Sequence, residues 1–174
     1  MRWMWIDRVV ELVKGERLVA IKNVSMAEEH LHDHAEVIGR AAGVNELSPV
    51  VPATLIIEGM AQSAGILVGH AGDFREKVIL AKISKAVLTH DVTPGCTIRF
   101  TAVVQQMTAQ GASVAGTVET LDPTGGTPPA AIGSIELVFS HVDANMAGTE
   151  YPAHNFVFGE SFRTLLRLSG VAIP

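Results

Sequence analysis

A chain of 174 residues, 48% of them hydrophobic, is long enough for one sizeable core and too short for two comfortable domains. Its 13 basic and 18 acidic residues give a net charge of -5, without the basic excess that a phosphate backbone demands, so no nucleic-acid partner is expected. The lone Cys96 excludes an internal disulfide framework and a cysteine-rich zinc knuckle, and it suits a reducing compartment, the cytoplasm.

The N-terminal MRWMWIDRVVELVKG reaches Asp7 and Arg8 before an apolar run of useful length develops, so it does not read as a signal peptide. Residues 5–13 and 17–25 mix alternation with β-branched residues on either side of Lys14-Gly15-Glu16, the pattern of an N-terminal hairpin. Over 26–51 the chain turns polar and His-rich, and Gly39, Gly43, Pro49 and Pro52 break any period; this predicts a long loop, with room for a short helix.

From Pro52 the pattern is helical to residue 70, PATLIIEGMAQSAGILVGH, because proline suits the first turn. About 18 residues at 1.5 Å each make a rod of about 27 Å, enough to cross a small domain. Thr54, Glu58 and Gln62 recur every four residues as one polar stripe on an otherwise apolar cylinder, which must be buried nearly all round. The apolar run 50–69 approaches membrane-spanning length, but Glu58 and Gln62 sit mid-segment among small residues, so burial in protein is expected rather than a membrane span.

Four further runs follow, 77–90, 97–108, 112–121 and 130–141, broken by Thr93-Pro94-Gly95, Ala109-Gln110-Gly111 and the Gly/Pro-rich 122–129. Short breaks of this kind predict an antiparallel meander. Hairpin, long helix and four strands together predict an α+β fold whose curved antiparallel sheet wraps a long central helix, with small helix residues allowing close approach. One domain over 1–141 and a C-terminal extension over 142–174 are expected. In that extension Phe162, Leu165, Leu166 and Leu168 suit a short amphipathic helix packed on the domain or a neighbouring subunit.

Two groups are candidates for chemistry. A carboxylate on the inward face of a buried helix loses hydration and tends to hold a proton, which makes Glu58 a candidate general acid; the alternative is a structural role, with Glu58 bonded to Gln62 or a backbone group. The run His30-Leu31-His32-Asp33-His34 alternates its histidines as metal ligands would, but its spacing fits no established metallohydrolase pattern and no cysteine completes a set, so no metal is expected. A near-neutral histidine and a protonated carboxylate form a complementary base and acid. The helix start at Pro52-Ala53-Thr54 adds backbone N–H groups able to polarise a thioester carbonyl.

LIIEGMAQSAG at 55–65 resembles the helix motif of the 3-hydroxyacyl-[acyl-carrier-protein] dehydratases of the hot-dog superfamily. IDRVVEL at 6–12, LVAIKNVS at 18–25 and ILAKISKAVLTHDVTPGCTIRFTAVV at 79–104 resemble that family's flanking blocks in the same order. The resemblance implies a hot-dog fold and dehydration of 3-hydroxyacyl thioesters to trans-2-enoyl thioesters in acyl-chain synthesis. It places Glu58 at the catalytic carboxylate and His34 at the catalytic histidine, with His32 second in line, and puts Ala53, Thr54 and Gln62 against substrate. It implies no cofactor, an acyl-carrier-protein or coenzyme A thioester as substrate, and a homodimer whose subunits share the site, open to assembly as a hexamer of dimers. The chain departs from the family at Asp33 and Ala53, each standing for glycine, and in the inserted segment AEVIGRAAGVNELSPVV after His34. An acyl-thioesterase with Glu58 activating water, and a non-catalytic acyl-binding protein, are the alternatives. Lys82, Lys85 and Arg99 are either plain surface or a contact for an acidic carrier.

Overall fold

The computed structural model of the chain describes residues 4–33, 35–38, 46–142, 152, 154, 155 and 157–173, with backbone alone at 32, 33, 35–38 and 46–48. The expected N-terminal hairpin is present as β1 (Arg8–Val13) and β2 (Arg17–Asn23), turned at Gly15 with a φ of 71° that glycine adopts without strain. Residues 26–51, expected as a long loop, carry more structure than that. A four-residue helix α1 (His30–Asp33) is followed by β3 (Ala35–Ile38) and β4 (Glu46–Pro49), paired as a separate two-stranded ribbon. Glycine and proline break a period without forbidding strands at a ribbon's edge, and this is what the sequence pattern concealed.

The central helix α2 runs Ala53–Ala71. Behind it come β5 (Val78–Leu88), β6 (Thr97–Met107), β7 (Gly111–Leu121) and β8 (Ala130–His141), and after a connection the helix α3 (Glu160–Leu168). The six long strands form one antiparallel sheet in the order β1-β2-β6-β7-β8-β5. The simple meander is thereby corrected: β6, β7 and β8 are consecutive neighbours, but β5 pairs with β8 at the far edge while β6 pairs with β2. The connection 89–96 crosses the end of the domain, because Val92 O accepts the Val51 N–H just before α2, and Gly95 N–H and Cys96 O both bond to Val24 after β2. Thr93-Pro94-Gly95 is therefore part of a crossover rather than a hairpin.

The sheet packs one face on α2. Ile98, Phe100 and Ala102 of β6, Val114 and Val118 of β7, and Ile135, Leu137 and Phe139 of β8 are buried with Met60, Ala64 and Leu67 of the helix. Close approach explains the small residues: a Cβ at Gly59 would collide with the rings of Phe100 and Trp5, and Gly116 of β7 leaves room for Met60. The extension packs on the same body. Phe158 and Phe162 stack edge-on beside Phe74 at the helix exit. The Asn155 side chain donates to Phe74 O and Glu76 O and accepts the Val157 N–H, and Ser169 Oγ accepts the Val9 N–H at the β1 edge.

Candidate active site

The polar stripe of α2 passes from outside to inside along the helix: Thr54 is exposed, Glu58 is half-buried and Gln62 is buried with 4% of its surface accessible. The helix is thus enclosed over its C-terminal two-thirds, while its first turn, at Ala53 and Thr54, lies open in the isolated chain. Pro52 stands at the N-cap and no side chain caps that turn. Backbone N–H groups at a helix start need acceptors from outside the helix.

Glu58 and Gln62 are brought together. Gln62 Nε2 donates to Glu58 Oε1 at 2.8 Å, and Gln62 Oε1 accepts the buried Trp5 N–H at 2.9 Å. A backbone N–H only donates, so Trp5 fixes which end of the carboxamide faces Glu58. Gln62, expected to meet substrate, is therefore engaged in orienting the carboxylate. Ala53 also lines a hollow of about 230 Å³ with Ile56, His90 and Asp91, while its backbone N–H stays at the open first turn of the helix.

His34 lies outside the described residues, and of His32 only the backbone, in α1, is described. The described imidazole of that run is His30. Its ring packs edge-on against Trp5 with centroids 5.1 Å apart, and its Nε2 is 3.5 Å from Glu28 Oε2. Glu28 also takes a bond from Lys22 Nζ at 2.8 Å, and that ammonium lies 5.0 Å from the Trp5 ring centroid. These residues border a cleft of about 520 Å³ together with Met4, Glu29 and Leu55, and Leu55 stands one helical turn before Glu58.

Trp5 and Lys22 carry no periodic or motif signal in the sequence, and His30 stands out there only as the first member of the alternating histidine run. For Glu28 one signal was available, because Ser25 and Glu28 have the Ser-x-x-Glu spacing that closes a turn on itself. In the structure Ala27 N–H bonds Ser25 Oγ and Ser25 N–H bonds Glu28 Oε1. Among the described residues no cluster of His, Cys, Asp or Glu could hold a metal ion, and no helix is long and apolar enough to cross a membrane. Arg99 is engaged with Glu119, its Nε donating at 2.8 Å, whereas Lys82 and Lys85 are exposed on β5.

A family model described as a FabA-like domain matches residues 2–121. A 3-hydroxyacyl-[acyl-carrier-protein] dehydratase FabZ from Solibacter usitatus is 33% identical over 122 residues, covering 69% of this chain and 68% of that protein. The corresponding enzyme from Granulibacter bethesdensis is 37% identical over 101 residues, covering 56% of this chain and 54% of that one. The chain thus spans between about half and two-thirds of these relatives' own length. Two solved structures, the dehydratase heterocomplex ApeI:P from Xenorhabdus doucetiae and a thioesterase family protein from Silicibacter pomeroyi, each superpose with a TM-score of 0.56. Their identities are 15% and 12%, over 79% and 76% of this chain and 82% of each neighbour. At that distance the likeness speaks to the fold alone, a hot-dog sheet around its helix.

Proposed function

Since the chain belongs to the FabA-like domain family, we propose that it removes water from 3-hydroxyacyl thioesters carried on acyl-carrier protein, giving trans-2-enoyl thioesters for acyl-chain synthesis. The observation that carries this reading is the Trp5–Gln62–Glu58 chain, which holds one carboxylate in a defined orientation beside a cleft and near an uncapped helix start. In the proposed reaction His34, by its family position, takes the proton α to the thioester carbonyl. The electron pair forms the new double bond as the C–O bond at the β carbon breaks, and Glu58 protonates the departing hydroxyl to give water. Backbone N–H groups at Ala53 and Thr54 face the charge that develops on the carbonyl oxygen. No cofactor takes part.

We propose further that the working form is a cytoplasmic homodimer joined along β5. That strand ends the sheet, and it is exposed from Ile79 to Val87 with Ile79, Leu80, Ile83 and Val87 between 37% and 44% accessible. A long apolar edge strand is a template for pairing with another chain.

The test is turnover of a 3-hydroxyacyl-carrier-protein thioester followed by appearance of the enoyl product. Glu58→Gln and His34→Ala should each lower it by about a hundredfold or more, the usual worth of a positioned acid or base. Near-wild-type product from both folded variants would overturn the assignment, and release of free thiol from a saturated acyl thioester would mark a thioesterase instead.

A further inference from the structure

The hollow at the start of α2 holds hydrogen-bond groups of opposite kinds. Leu55 N–H and Ile56 N–H both bond to Pro52 O, so Ala53 and Thr54 present the N–H groups that have no acceptor within the helix. The segment after β5 is tied to this point, since Val51 N–H bonds to Val92 O at 2.8 Å, and it brings Thr89, His90 and Asp91 into the same lining as Ala53. Thr89 settles the state of the imidazole. Its hydroxyl gives its hydrogen to Ile132 O at 3.0 Å, because a carbonyl oxygen can only accept. The same hydroxyl oxygen stands 2.9 Å from His90 Nδ1, and having spent its one hydrogen it meets that nitrogen as an acceptor. The network therefore assigns the hydrogen to Nδ1 and leaves Nε2 of the neutral ring as an acceptor.

Donors from the helix start and an acceptor from His90 thus border one space of about 230 Å³, below the range of sites that hold a whole drug-sized ligand. A 3-hydroxyacyl group has the matching pattern: a carbonyl oxygen that accepts and, two carbons along, a hydroxyl hydrogen that donates. A 3-oxoacyl group of nearly the same size has no such donor, and a saturated acyl group has no polar atom there. Resting on the dehydratase reading above, we infer that His90 is the residue that recognises the 3-hydroxyl, its Nε2 accepting the hydroxyl hydrogen while the Ala53 and Thr54 N–H groups hold the carbonyl oxygen. Thr89 is the positioning residue behind it, and the half-buried Leu88 and buried Ile56 pack on the carbons between the two polar ends.

The experiment measures binding of three amides of N-acetylethylenediamine by calorimetry: 3-hydroxybutyryl, 3-oxobutyryl and butyryl. An N–H stands where the thioester has sulfur, which makes the α proton far less acidic and lets the compounds persist. Wild type should bind the 3-hydroxy amide about tenfold more tightly than either of the others, the upper range for one hydrogen bond net of solvent. His90→Ala, a change at an exposed residue, should bring the three within about twofold. Asp91→Asn, at the neighbouring acceptor, should keep the preference. Equal or absent binding of the three amides by wild type overturns the inference, as does a preference that survives His90→Ala or is lost only in Asp91→Asn. Because binding is read without turnover, a hydroxyl preference removed by His90→Ala upholds the inference even in a chain that forms no enoyl product. A wild type that dehydrates the thioester yet binds the three amides alike overturns it and leaves the dehydratase reading standing.

Discussion

The Gln62 carboxamide has its oxygen on the Trp5 N–H and its nitrogen on Glu58, so a single substitution acts on both fold and site. Gln62→Leu leaves the buried Trp5 N–H without its acceptor, at a cost of about 1–3 kcal/mol, and lets Glu58 turn away from its working orientation. The expected result is a lower melting temperature together with a kcat reduced at least tenfold while KM changes little. Gln62→Glu should be no better, because it removes the amide donor that Gln62 Nε2 gives to Glu58 Oε1. At the other end of α2, burial lowers the pKa of His70 from its ordinary 6.5, assisted by Lys14 and opposed by Asp73. The folded state thus binds the proton less readily than the unfolded chain. Stability from this group is complete above pH 6.5 and falls as the pH drops through the lowered value. His70→Gln should flatten the decline in melting temperature between about pH 7 and pH 5.

At the scale of elements, the close approach of helix and sheet is set at Gly59, where a side chain would meet the rings of Phe100 and Trp5. Gly59→Ala should destabilise by about 1–3 kcal/mol through overpacking, and by displacing Trp5 it should also disturb Glu58. A chemical-denaturation series compared with turnover would show both losses. The helix α3 is part of the core rather than an appendage: Leu166 is 1% accessible and packs with Phe158, Phe162 and Leu165. Leu166→Ala should cost about 2–5 kcal/mol while leaving kcat and KM at temperatures below the transition close to wild type. A selective loss of turnover would place α3 in the chemistry.

At the scale of the whole molecule the two sheet edges differ. The β1 edge has a register shift between Val9 and Glu11, and its Val9 N–H is taken by Ser169; the β5 edge presents exposed apolar side chains over nearly its full length. With a chain mass of 18.5 kDa, sedimentation should report twice that value for wild type. Ile83→Lys, which sets a charge on the edge at a residue 44% accessible, should shift the equilibrium to monomer and lower turnover with it. A monomeric wild type with full activity would overturn the shared-edge assembly.

Local pattern alone determined the hairpin around Gly15, the helix opening at Pro52, the strand runs and the stripe that singles out Glu58, because turn chemistry and periodicity are properties of neighbouring residues. The motif blocks carried the family and the chemistry to expect of it. Only the tertiary structure decided that β5 crosses to the far edge, since a turn signal marks where a strand ends and says nothing about its partner. It also revealed strands within the insertion and the partners of Gln62. Trp5 and Gln62 are 57 residues apart, and a hydrogen bond between a backbone N–H and a distant amide leaves no periodic trace in either segment. The orientation of the carboxylate is therefore a property of the fold, while its presence on that helix face is a property of the sequence.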